Sequence, residues 1–188
     1  MPQVWTSDNT DAISRLKIQY GTSLVYPISS MGAHVSAVPN HQVHRNTSLK
    51  TRGHVAMSGT FGYELDITEL SENERNQVIQ QVEFYKKNRA LIQFGDFYRL
   101  KSPFEGNETS WIFVSQDQQE AVFVYVKILA EAAPPFTKIK LVGLDPNRKY
   151  YIEEMGRRFN GEELMNIGVN IPVLEGDFQS IMWKLSAE

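Results

Sequence analysis

The residues best suited to chemistry lie near the start of the chain, in Trp5-Thr6-Ser7-Asp8-Asn9-Thr10-Asp11-Ala12. Two carboxylates stand three residues apart among small polar side chains, after an apolar run and just before a helix. A carboxyl in a partly desolvated loop near a second carboxylate has its pKa raised, so it can act as an acid in one step and a base in the next. Asp8 and Asp11 are both candidates. The spacing of Asp11 also suits a helix cap or a first-turn partner of the helix dipole. Taken alone, Ser-Asp-Asn-Thr-Asp is more often a capping turn than a site. Trp5 either offers an aromatic face or packs at a strand end.

Other chemistry-bearing residues are weaker candidates. His34, His41, His44 and His54 would suggest zinc only if three or four ligands converged with a second shell, and His41-x-x-His44 sits in a polar loop. His34, in a run of small residues, reads as a hydrogen-bonded strand histidine near a loop. Glu64 and Asp66 fall on one side of a strand at two-residue spacing. Ser7-Asp8-Asn9, Ser14-x-x-Lys17 and Lys50-Thr51 share letters with serine β-lactamases, but the order is reversed and Arg52 interrupts the third element.

These residues need a scaffold. Residues 1–5 read as the tail of a strand. A helix follows, with Asn9 or Thr10 as N-cap, Ile13, Leu16 and Tyr20 on one face and Gly21 as its stop. Residues 31–38 read as a buried parallel strand. Residues 48–57 read as a helix capped by Ser48, and 61–67 as a strand. Ser71-Glu72-Asn73-Glu74 is a capping box opening a helix with Val78, Val82 and Tyr85 on one face. Strands alternating with helices predict a parallel α/β unit. The texture changes at Gly95-Asp96. Residues 97–101, 110–115, 120–129, 136–142, 149–153 and 178–185 read as strands separated by turn signals, the pattern of an antiparallel sandwich. Residues 120–129 are apolar on both faces and therefore central.

Bulk properties bound the partners. The chain has 188 residues, 41% hydrophobic and 22% charged, with a net charge of -3 and no cysteine. That balance lacks the basic face that nucleic-acid binding requires. The missing cysteine excludes disulfides and thiolate chemistry within these residues. No apolar run approaches the roughly 20 residues of a membrane span. No secretion signal opens the sequence, which makes a cytoplasmic location the expectation.

Trp5 to Gly21 resembles the acid/base segment of glycoside hydrolase family 36 α-galactosidases. The resemblance continues through Ser30-Met31-Gly32-Ala33-His34-Val35, Gly53-His54-Val55-Ala56-Met57-Ser58-Gly59, Ile92-Gln93-Phe94-Gly95-Asp96-Phe97, Gly143-Leu144-Asp145-Pro146 and Gly176-Asp177-Phe178. It implies the C-terminal portion of a (β/α)8 barrel over residues 1–95 and an antiparallel β-sandwich over 96–188. It implies a retaining hydrolase, needing no metal or nucleotide, that releases terminal α-linked galactose from melibiose- and raffinose-type oligosaccharides. Asp8 takes the place of the general acid/base. Asn9 and Asp11 would position it or the sugar, and Trp5 would stack on a sugar ring.

The same resemblance puts the nucleophile in a Lys-Trp-Asp motif and part of the galactose site in a Cys/Gly-rich motif, both absent here. It thus makes this chain the C-terminal piece of a longer enzyme, inactive alone, whose parent is a homotetramer. A non-catalytic β-sandwich that binds carbohydrate or a partner chain is the alternative.

Overall fold

The computed structural model describes residues 3–188, and it divides into two compact units, the first ending at Gln93 and the second spanning Phe94–Glu188. In the first unit, helices alternate with short parallel strands. The strand tail expected over residues 1–5 is present as a single parallel bridge from Val4 to Met31, flanked by hydrogen bonds from Val4 N to Ser30 O (2.7 Å) and from Gly32 N to Val4 O (3.0 Å). Met1 and Pro2 lie outside the described residues. Helix α1 (Ala12–Thr22) follows, then β1 (Gly32–Ser36), α2 (Leu49–Ala56), β2 (Thr60–Glu64) and α3 (Glu72–Phe94). Strands β1 and β2 pair in parallel, with His34 opposite Gly62 and Ser36 opposite Glu64.

Local sequence explains these elements. Ser48 caps α2 by accepting from Thr51 N. Ser71 and Glu74 close the capping box, Ser71 N donating to Glu74 at 3.0 Å and Glu74 N to Ser71 Oγ at 3.3 Å. Alternation along the strands sends Ala33 and Val35 into apolar packing, where Val35 meets Leu49 and Ala56, with Phe61, Tyr63 and Val78 packed against them. His34, Gly62 and Glu64 fall on the opposite face. One local expectation is corrected. The N-cap of α1 is Asp11, not Asn9 or Thr10, and the helix runs one residue past Gly21. Every residue from Ser7 to Asp11 has a cap-competent side chain, and the one whose oxygen faces the first-turn amides takes the role.

The second unit is built on a six-stranded antiparallel sheet. Its strands are β3 (Asp96–Lys101), β4 (Glu108–Val114), β5 (Glu120–Lys127), β7 (Lys149–Ile152), β8 (Arg157–Asn160) and β10 (Gln179–Ala187), in spatial order β3-β4-β5-β10-β7-β8. A second, smaller layer pairs β6 (Lys138–Ile139) with β9 (Val169–Asn170), with α4 (Gly161–Asn166) beside it. Between the layers lies a continuous apolar core that includes Ile112, Phe123, Leu141, Tyr150, Leu164, Val169, Trp183 and Leu185. β5 is central and buried on both faces, as its unbroken apolar run requires.

The second layer is thinner than a seven-residue strand over 136–142 would make it. Only Lys138 and Ile139 pair as a strand, with Asn170 and Val169, while Thr137 O accepts from Ile171 N and Leu141 N donates to Leu164 O. Gly168 sits there with φ +89°, and a Cβ on it would lie 2.6 Å from Ile139 O, so only glycine lets the two segments close.

Candidate active site

The Asp8 loop leaves the Val4 bridge at the C-terminal end of a parallel segment and runs into α1. It is pinned from several directions. Asn9 N donates to Ser7 Oγ at 3.1 Å, and Asp11 N to Asn9 Oδ1 at 3.0 Å. Asp11, only 2% exposed, accepts from Ser14 N (2.8 Å) and Ser14 Oγ (2.9 Å) and makes an ion pair with Arg45. Ser36 Oγ, at the end of β1, donates to Thr10 O at 3.0 Å, and the buried Asn40 donates to Thr10 Oγ1 at 3.3 Å. Gln42 Nε2 reaches Asp8 O at 3.4 Å.

Beneath the loop, Arg15 is 4% exposed and donates to Gln19 Oε1 (3.1 Å), to Ser7 O (3.3 Å) and to Gly32 O. Burial holds its pKa below the ordinary guanidinium value, while Glu64 works in the opposite direction.

What this scaffold presents to solvent is Asp8. Its side chain is exposed, and Trp5 Nε1 donates to its Oδ1 at 3.0 Å. Trp5 in turn packs on His34 from β1, with ring centroids 4.7 Å apart and planes inclined by 37°. The loop thus brings Trp5 and Asp8 into contact and spends Asn9 and Asp11 on its own shape. Asp11 is buried, whereas Asp8 is exposed. Ser14, the serine of the Ser-x-x-Lys string, is occupied by Asp11. Asp66 lies beyond β2 and holds a turn by accepting from Thr68 N (2.8 Å) and Thr68 Oγ1 (2.6 Å), so it forms no carboxylate pair on that strand with Glu64.

Sequence reasoning missed the supports Arg15, Asn40, Gln42 and Arg45. A signal was available for Arg15, a cation in a helix position otherwise flanked by core residues. Among the described residues, no group of three or more His, Asp or Glu side chains is placed to hold a metal ion.

Two histidines couple this unit to pH. Burial pushes the pKa of His34 down, opposed by Glu64 and reinforced by Arg15. Burial also pushes His54 down, with Lys50 one helical turn earlier adding to the effect. A depressed histidine pKa means that the unfolded chain takes up a proton before the folded one does, so stability falls as pH drops below about 6.5. In the second unit Glu154, raised chiefly by burial, has the opposite sign, because its stabilisation is present at low pH and lost as pH rises. Urea unfolding between pH 7 and pH 5 is expected to show net loss toward acid. His54→Gln should flatten a slope that cannot exceed about 1.4 kcal/mol per pH unit for one histidine. An unchanged slope would remove His54 from this account.

A carboxylate loop at the end of parallel strands, backed by helices and followed in sequence by an antiparallel β-domain, is an arrangement of barrel hydrolases. Comparison with known proteins makes this specific. The family model described as Melibiase matches residues 1–95, and that of the glycosyl hydrolase family 36 C-terminal domain matches residues 108–185. The chain belongs to the melibiase family, with the end of a (β/α)8 barrel followed by an antiparallel β-sandwich.

Among its relatives, the α-galactosidase AgaA of Geobacillus stearothermophilus is 65% identical over 100% of this chain and 26% of its own length. The α-galactosidase Mel36A of Lactobacillus acidophilus is 51% identical over 99% of this chain and 25% of its own. A crystal structure of an AgaA variant in complex with raffinose superposes with a TM-score of 0.97 at 64% identity, covering 100% of this chain and 26% of that one. The chain therefore spans about a quarter of the length of the relatives it matches.

Proposed function

We propose that this chain supplies the general acid/base and the C-terminal β-domain of a retaining α-galactosidase acting on melibiose- and raffinose-type oligosaccharides. The observation that carries the reading is Asp8, exposed at the end of a parallel segment on a loop whose other polar groups hold it in place. In the first step Asp8 gives its proton to the glycosidic oxygen as the C–O bond breaks and the bonding pair moves to that oxygen. A partner carboxylate takes the anomeric carbon. In the second step Asp8 removes a proton from the water that displaces that carboxylate. Retention requires the two carboxyl groups to stand about 5 Å apart. These 188 residues contain no Lys-Trp-Asp segment, and we assign the partner carboxylate to the three quarters of the relatives' length that this chain does not span. On the family resemblance we extend the reading to a cytoplasmic homotetramer.

The test is a hybrid in which this chain replaces the matching quarter of the Geobacillus relative. The hybrid is expected to release galactose from raffinose, and the 188 residues alone to release none. A folded hybrid without activity would overturn the proposal.

A further inference from the structure

We propose that Trp5, backed by His34, decides which oxygen of Asp8 carries the catalytic proton, an inference that rests on Asp8 being the acid/base. The indole N–H is a donor only. It points at Oδ1 from 3.0 Å, and because the carbonyl oxygen of a carboxylic acid is a better acceptor than its hydroxyl oxygen, the bond favours the acid proton on Oδ2. The same bond fixes the orientation of the carboxyl group. It also resists rotation of the carboxyl between the protonating step and the water-activating step.

Three elements meet to hold this geometry. Trp5 follows the Val4 bridge, His34 comes from β1, and Gly62 lies opposite His34 on β2. A Cβ on Gly62 would stand 3.2 Å from His34 Cδ2, so the glycine leaves the imidazole its room. His34 covers one face of the indole, which leaves at most the other for a sugar. The half-exposed Trp5 ring would be mobile without that backing. The charged groups around the pair are Glu64 on β2 and Arg15 on α1, which act on His34, and Arg45 with Asp11, paired behind the loop. Burial and Arg15 keep His34 toward its neutral form, so it supports the ring without adding charge.

The experiment has two arms. In the 188-residue chain, the Trp5 indole N–H is followed by NMR across pH, beside Trp111 and Trp183 as internal references. Its resonance should titrate with a carboxylate, lose that titration in Asp8→Asn, keep it in His34→Phe and weaken in His34→Ala. In the hybrid enzyme, Trp5→Phe should lower kcat/KM for raffinose about tenfold while leaving formation of the galactosyl-enzyme from an aryl galactoside nearly unchanged, because only the sugar leaving group needs the correctly placed proton. A purely structural role would lower both alike.

A resonance that does not titrate, or that titrates equally in Asp8→Asn, overturns the proposal. So does an equal loss on both substrates, or a loss on neither, in Trp5→Phe when Asp8→Asn lowers raffinose turnover selectively, and that pattern leaves the acid/base reading intact. Full activity of the Asp8→Asn hybrid would instead overturn the acid/base reading, and this inference with it.

Discussion

Asp8→Asn in the hybrid enzyme is expected to lower kcat/KM for raffinose about a thousandfold, within the range typical of a lost general acid. The substitution keeps a carbonyl oxygen where Oδ1 accepts the Trp5 indole, so the loop should hold its shape while losing the proton. The pattern across substrates separates chemistry from damage. A sugar leaving group needs protonation as its bond breaks, whereas a nitrophenolate leaves without it. The aryl galactoside should therefore form the galactosyl-enzyme at nearly the original rate and then stall, because no base activates water. Azide, a nucleophile that needs no deprotonation, should restore turnover of that substrate. Equal losses on both substrates, with no azide rescue, would take the acid/base role away from Asp8.

The second large effect concerns stability. Arg15→Met keeps most of the aliphatic stem of a buried side chain but removes every donor from Gln19 Oε1, Ser7 O and Gly32 O. A buried acceptor left without a partner costs about 1–3 kcal/mol. Even with partial relaxation the total should reach about 3–4 kcal/mol, or two to three decades of lost amide protection across α1 in hydrogen exchange. Arg15→Lys should recover little, because one ammonium cannot serve acceptors that diverge around a planar fork. Because Ser7 O is one of the three, the Asp8 loop should become the most rapidly exchanging part of the unit. Unaltered protection in Arg15→Met would mean that the other loop contacts suffice.

These two residues show what could be read from sequence. The scaffold was legible wherever it depends on neighbours in the chain. The Ser71–Glu74 box, the Ser48 cap and the doubly apolar run of β5 are each decided within a few residues. The assignment of Asp8 rests on family resemblance, because its bare string reads more often as a capping turn. The contacts that tie the loop to the rest of its unit were not legible, because they join positions 8 to 34 residues apart. Arg15 reaches Gly32, Asn40 reaches Thr10, Arg45 reaches Asp11, and Trp5 meets His34. Such meetings depend on strand register and on the path of the 39–47 turn, and no local pattern encodes either. The expectation for 136–142 failed for the same reason. Lys138-Ile139-Lys140-Leu141 alternates like a strand, but how far a strand extends is set by its partner, and β9 supplies only two residues.

The order of strands in the β-domain has a further consequence, in time rather than in space. β10 lies between β5 and β7, yet it is synthesised after every other strand of that sheet. Until it arrives, β3-β4-β5 and β7-β8 are separate halves, each with a bare edge and an uncovered apolar face. The pairing that joins them is also non-local in sequence and therefore slow to form. The nascent domain must wait for its own keystone, and during that wait an emerging chain is most in need of protection from its neighbours on the same message.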